Sequence, residues 1–189
     1  MPSKVELCNL ALLRLGQRPI LALTEPSVEA NYCSQLYDQA RRETLRHHAW
    51  RFALKTETLA AEEFEADGDW IFSYALPSDC VRALQVKTAG VPTLMDFEVH
   101  GHSLRTNADG AVLRYVRDEQ DPTRFDDLFV QALSYKLAAD LAVPITGDSG
   151  AMAGLLQMFT VSIRSAMAAS SSEARRRQNH EETLAESRQ

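Results

Sequence analysis

The chain has only three cysteines, Cys8, Cys33 and Cys80, and no two of them stand at a CxxC spacing. An odd count at such distances points to reduced, mostly buried thiols in a cytosolic setting rather than to a disulfide framework. No apolar run approaches the roughly 18 to 20 residues of a membrane span. The opening MPSKVELCNL lacks the charged region, apolar block and cleavage site of a secretory leader. Neither GxxxxGK nor GxGxxG occurs, so no phosphate-cradling loop is expected. Positive charge is in deficit: 20 Lys and Arg against 26 Asp and Glu give a net charge of −6. That balance argues against a protein that grips nucleic acid by neutralising phosphates. What is present is ordinary for a soluble globular protein, 45% hydrophobic and 24% charged residues in a chain of 189. Such a length suits one domain with an appendage and a normal core.

Hydrophobic periodicity places helices at both ends of the chain. Ser3 and Glu6 form a capping-box pattern, and Val5, Cys8, Leu12 and Leu15 recur at helical spacing as far as Gly16. Leu7, Leu10 and Leu13 make this helix apolar on a second side, as a helix between two partners would be. After a loop broken by Pro19 and Pro26, Ser27 is positioned to cap a second helix. Its segment Tyr37–Leu54 runs without Gly or Pro into Trp50, Arg51 and Phe52, an aromatic anchor at a helix end. Asp121 and Pro122 start a third helix, with one face at Phe125, Leu128, Ala132, Tyr135, Ala139 and Ala142 and a second at Val130, Leu133, Leu137 and Leu141. Pro144 and Gly147 end it. Asp148 or Ser149 caps a fourth helix carrying Met152, Leu155, Leu156, Phe159, Ile163 and Met167.

The middle of the chain reads differently. An acidic loop holds Glu62, Glu63, Glu65, Asp67 and Asp69, and WIFSYALPSDCVRALQVK then suggests one or two short strands interrupted at Pro77. Residues 97–99, 103–106 and 111–116 alternate like strands, with turns at 100–102 and 107–110. The expected fold is therefore mainly α with a small inserted β-domain (α+β), a helical bundle with a short antiparallel sheet. Its parts are N-terminal helices over 1–55, the β-domain over 56–120, C-terminal helices of the same bundle over 121–168, and a tail over 169–189.

No catalytic, cofactor or metal site emerges from the candidates. Gly147-Asp148-Ser149-Gly150 imitates a protease nucleophile tetrapeptide, but it sits between two helices, where a cap is the simpler reading. His100-x-His102 places two imidazoles near each other, yet a zinc ion needs at least a third ligand. Adjacent His47 and His48 point to different sides of a helix, and one protonated ring would favour the helix C-terminus. Carboxylate pairs in the acidic loop, Glu62, Glu63 and Glu65, are what a glycosidase would use as acid and nucleophile, although loop carboxylates are usually solvated. Met152, Met158 and Met167 read as core filler. Arg175, Arg176 and Arg177 resemble a nucleic-acid patch, but Glu173, Glu181, Glu182 and Glu186 offset them. A segment that docks on an acidic protein groove fits better. After Ala168 the tail has no apolar face, so it is either disordered or a solvated helix ordered by a partner.

Taken in order, LCNLALLRLGQRPI, the Glu29–Asn31–Tyr32–Cys33 helix, YDQARRETLRHHAWRFALK, YALPSDCVRALQV, FEVHGHSLRTNADGAVLRYV and DPTRFDDLFVQALSYKLAADLAVPITG resemble the phage tail tubular protein A family. The likeness covers about residues 5 to 167. Members of that family are head-to-tail adaptors of short-tailed bacteriophages. The resemblance implies a virion structural protein of the tail, at the head-tail junction and assembled in the host cytoplasm. It also implies a homo-oligomeric ring, typically of twelve, under the portal protein. Such a ring extends the DNA channel, lets DNA pass without specific binding, and meets the nozzle protein and tail fibres. On that reading the two-faced helices over 3–16 and 122–142 serve neighbouring subunits as well as their own core. Arg41, Arg42, Arg46 and Arg51 are then candidates for the subunit interface, and Arg175–Arg177 for docking on the portal. The alternatives are a cell-wall glycan hydrolase acting during DNA entry, or a helical protein-binding module with a disordered tail.

Overall fold

A computed structural model describes residues 2–66 and 68–186, with the backbone alone over 171–186. The chain falls into two compact units, one formed by the segments up to His48 and from Asp121 onward, the other by Ala49–Gln120. The first is helical and the second is built from strands, so the fold is α+β.

Four helices make the first unit: α1 (Lys4–Arg14), α2 (Val28–His47), α3 (Asp127–Thr146) and α4 (Ser149–Glu186). Each start has a side-chain cap that takes an otherwise unpaired N–H. Ser3 and Glu6 close a full capping box on α1, Ser27 Oγ accepts from the Ala30 N–H on α2, and Asp148 Oδ1 accepts from the Ala151 N–H on α4. The third helix does not start at Asp121-Pro122. Those residues open a 3₁₀ turn, Pro122–Arg124, and α3 begins beyond it because Asp126 Oδ1 captures the Phe129 N–H at 2.7 Å. Nor does Pro144 stop the helix. Proline removes one backbone bond, but buried Leu141 and Ala142 carry α3 past it to Gly147, whose φ of 72° closes the last turn.

Helix α3 is the centre of this unit and packs against α1, α2 and α4. Phe129, Leu133, Leu137 and Leu141 are all fully buried. By length and composition α3 would pass for a membrane span, and its enclosure by the other three helices accounts for that apolar character. Most residues of its two predicted faces are buried inside the unit, and Leu128, Val130 and Tyr135 are half-buried. Helix α4 covers it with Phe159, Ile163 and Ala166, whereas Met158 and Met167 are exposed and do not fill the core. The continuation of α4 through 171–186 is helical in backbone.

Two polar groups inside this unit are matched rather than excluded. The Lys136 ammonium on α3 sits 2.6 Å from Glu43 on α2 and 2.6 Å from Asp140 one turn further on. Burial pushes the Asp140 carboxyl up; burial also raises Glu43, but hydrogen bonds from Lys136 and Gln39 outweigh it and hold Glu43 low. Cys8 and Cys33 are buried side by side between α1 and α2, and the neighbouring thiol together with burial pushes Cys8 well up.

The second unit contains β1 (Leu54–Thr58), β2 (Ala61–Glu62), β3 (Phe72–Ala75), β4 (Cys80–Thr88), β5 (Leu94–Met95), β6 (Phe97–His100), β7 (Ser103–Thr106) and β8 (Ala111–Arg117). They form two four-stranded antiparallel sheets, β1-β8-β4-β5 and β2-β3-β7-β6, where the sequence suggested one short sheet. Inward-facing residues of both meet in one core of Leu59, Tyr74, Val86, Leu104, Ala111, Leu113 and Tyr115. The buried phenols are satisfied: Tyr74 donates to the Ala108 carbonyl at 2.8 Å and Tyr115 to Asp79 at 2.7 Å. Gly101 and Gly110, with φ of 61° and 60°, make the two hairpin turns that the sequence marked.

Trp50 belongs to this unit and not to a helix. Helix α2 stops at His47, His48 takes extended dihedrals, and Trp50 opens a 3₁₀ turn over Arg51–Ala53 with Phe52 at 6.3 Å. The aromatic pair therefore anchors the entry to β1.

Removing the cation at the α2–α3 contact tests the ion cluster. Lys136→Met should cost about 3 kcal/mol in urea unfolding, since two carboxylates lose their shared partner. Lys136→Met with Asp140→Leu should recover most of that loss. An unchanged midpoint for the single variant would show that the cluster contributes nothing.

Candidate interaction surfaces

The most distinctive surface of the helical unit is the outer side of α1 and the loop after it. One side of α1 is spent on the core, with Leu7, Cys8, Ala11 and Leu12 all fully buried. Of the second apolar side Leu7 is spent inward as well, and Leu10 and Leu13 are left 38% and 72% exposed among the described residues. The following loop adds Leu21, 92% exposed. Glu6, Asn9, Leu10, Leu13, Gln17 and Pro19 line a hollow of about 450 Å³ on this side.

This surface is held in shape by polar bonds. Helix α1 is capped at its start and closed at its end by a Schellman arrangement, in which Gln17 N–H reaches the Leu12 carbonyl at 3.0 Å and Gly16 N–H the Leu13 carbonyl at 3.1 Å. Gly16 takes φ of 67°, which a side chain there would strain. Asn9 then clamps the loop from the helix, donating to the Ile20 carbonyl at 2.9 Å and accepting from the Ile20 N–H at 2.8 Å. The Glu25 carboxylate accepts from the Leu21 N–H at 2.8 Å and from the Ser27 hydroxyl at 2.7 Å. Leu21 is thus presented outward by a backbone pinned on both sides. An apolar side chain fixed in water loses less conformational entropy on being covered, which is the property of a docking residue.

The arginines expected at an interface divide. Arg41 lies inside the helical unit at 2% exposure, with its Nε 3.6 Å from Asp38, so it is not presented to a neighbour. The buried stripe of α2 includes Tyr37, Ala40 and Thr44 and widens to take in Arg41. Arg42 and Arg46 on α2 and Arg51 in the other unit are exposed. The side chains of Arg175, Arg176 and Arg177 lie outside the described residues.

Sites weighed for chemistry are placed as follows. Asp148 caps α4 and Gly147 closes α3, so the protease-like tetrapeptide is a helix–helix junction. His47 meets Phe159 edge-on at 5.1 Å, while His48 lies 3.0 Å from the Ser170 hydroxyl, so the two rings face different partners. His100 pairs with Glu98 at 3.0 Å, and Trp70 donates to the same carboxylate at 3.2 Å. Among the described residues no group of three His, Cys, Asp or Glu side chains is arranged to hold a metal ion. Glu62, Glu63 and Glu65 are exposed, and Glu62 accepts from Ser73 at 3.1 Å.

No family model matches the chain, and no curated protein matches it.

The pinning of Leu21 carries a pH dependence. Hydrogen bonds from Ser27 and from the Leu21 N–H hold the Glu25 carboxyl below its ordinary value. A lowered carboxyl contributes order at neutral pH that is lost as the pH falls through its folded-state value. The Leu21 and Ser27 amide resonances should therefore shift together with a midpoint below the ordinary glutamate range. A midpoint at or above that range would remove the pin.

Proposed function

We propose that the protein is a structural head-to-tail adaptor, a ring subunit that sits beneath a phage portal, extends the DNA channel, and joins the capsid to a nozzle protein and tail fibres. The observation that carries this reading is the apolar side of α1 left open to water on a rigid frame. Leu10 and Leu13 line one hollow with Pro19, and Leu21 stands exposed on the loop that follows, held by the Asn9 clamp and the Glu25 bonds. Covering one such leucine is worth roughly 1.5 to 3 kcal/mol, so three of them favour a protein partner over water. A large enough exposed apolar patch on an otherwise polar surface marks an association site. The ordered resemblance of segments across residues 5 to 167 supplies the kind of assembly. A subunit in a closed ring uses two different surfaces, and this chain has more outward apolar residues than one contact requires: Val143, Leu156, Met158 and Val161 lie on α3 and α4. An adaptor works by geometry alone: it needs rigid units, complementary surfaces and a lumen, and no reacting group.

The test is assembly on the portal of the same virus. Full-length protein mixed with purified portal should form a closed ring visible by electron microscopy. Leu13→Asp combined with Leu21→Asp should keep the wild-type melting temperature and reduce ring formation by tenfold or more, by roughly the free energy of the two covered leucines. A chain that binds no portal and stays monomeric at high concentration would end this reading. So would a double variant that assembles as well as the wild type, for the surface assigned here.

A further inference from the structure

We propose that the outer face of the β1-β8-β4-β5 sheet receives the acidic β2–β3 loop of a second copy of this chain, head to tail. The inference rests on the ring reading above and names one of its contacts.

Strand register places Thr56, Arg114 and Gln85 side by side across β1, β8 and β4, with Lys87 opposite Val112 one pair along. These residues line a hollow of about 120 Å³ on the face turned away from the unit's core. Lys87 and Arg114 are diagonal neighbours, a placement that brings side chains to within roughly 7 to 8 Å. Like charges at that spacing repel, yet neither makes an ion pair or hydrogen bond with any described residue. The carboxylates of this end of the sheet, Glu57 and Asp79, are engaged elsewhere, by Lys55 and the Tyr115 hydroxyl. The face therefore presents two unmatched cations, a hydroxyl and an amide around one small hollow. An arginine fork beside an ammonium is the arrangement that takes a carboxylate with two charge-assisted bonds.

The same unit carries the complementary charge. Phe64 in the β2–β3 loop turns onto the Arg105 guanidinium, 5.0 Å from the ring centre, and its neighbours Glu63 and Glu65 stand exposed. Neither glutamate has a partner among the described residues. The loop leaves β2, an edge strand of the other sheet, and makes no ion pair with Lys87 or Arg114 of its own chain. The two matching patches lie on different sheets of one unit and make no ion pair with each other, which leaves each to pair with a second copy. A contact that pairs different surfaces of identical subunits is heterologous and closes into a ring when the rotation allows. A nucleic-acid backbone is the weaker occupant, because phosphate binding draws on a long row of cations and this face supplies two in a chain of net charge −6.

Charge exchange between full-length variants tests the contact. Lys87→Glu with Arg114→Glu alters only the sheet face, and Glu63→Lys with Glu65→Lys alters only the loop. Each should keep the wild-type melting temperature and lower self-association, followed by sedimentation equilibrium and by ring formation on portal, by at least about tenfold. An equimolar mixture of the two should regain association. Carbodiimide coupling of mixed ¹⁴N and ¹⁵N wild-type protein should join Lys87 to Glu63 or Glu65 in mixed-isotope peptides. Variants that assemble like the wild type, or a mixture that does not regain association, would overturn this contact while the ring reading stood. Lost retention of DNA by the sheet-face variant with intact assembly would instead give the face to nucleic acid. Wild-type protein that neither self-associates nor binds portal would end both readings.

Discussion

The enclosure of α3 is the constraint on which the helical unit depends. Its residues Leu133, Leu137, Ala138, Ala139 and Ala142 point in several directions around the helix and are all buried, so α3 needs cover from α1, α2 and α4 together. A helix that is apolar on all sides is stable in water only when others surround it. The cover has consequences. Lys136 is drawn under α2 and must be met by Glu43 and Asp140, because an unmatched ammonium there would cost several kcal/mol. Helix α1 turns Leu7, Cys8, Ala11 and Leu12 inward, and Leu10 and Leu13 are left exposed.

The strand unit solves the burial problem separately. Two sheets each turn one face to a shared core, and period-two alternation leaves every other residue outside. On β8 this places Leu113 and Tyr115 within the core and Arg114 on the outside. The buried phenol of Tyr115 takes Asp79 and Glu57 as acceptors, which also fixes the Lys55 ammonium among them. Charge that would otherwise neutralise the outer face is thereby retained at the end of the core. Each unit thus buries its own apolar core and leaves an exposed surface, apolar on one and basic on the other.

Parts of this were legible in the chain. Ser3 with Glu6, Ser27 and Gly147 each mark a helix end by local chemistry, and each serves there. Gly101 and Gly110 likewise mark turns that need positive φ. Other elements were hidden for physical reasons. Leu54–Thr58 is an edge strand with polar residues outward, so it shows no apolar alternation, and only pairing with β8 defines it. The start of α3 slid past Asp121 because two aspartates compete as caps, and the one that aligns Phe129 with the core prevails. Helix α2 ends at His47 with neither Gly nor Pro to announce it, and Trp50 passes to the strand unit.

What the sequence determined by itself is local: the caps, the glycine turns, the α+β division and an α1 that is apolar on two sides. These depend on near neighbours in the chain, and hydrogen-bond and steric rules act at that range. Which apolar side would be spent was decided only by the tertiary structure. The second faces of α1 and α3 look equivalent as patterns, yet Leu133, Leu137 and Leu141 of α3 are buried, whereas Leu10 and Leu13 of α1 are left exposed among the described residues. Arg41 was likewise moved from surface to interior by packing. The pairing that sets Lys87 and Arg114 side by side, with no ion pair to a described carboxylate, is also a matter of register, set by hydrogen bonds between strands distant in sequence. Burial and register are properties of the assembled fold, and on them the choice of exposed surface rests.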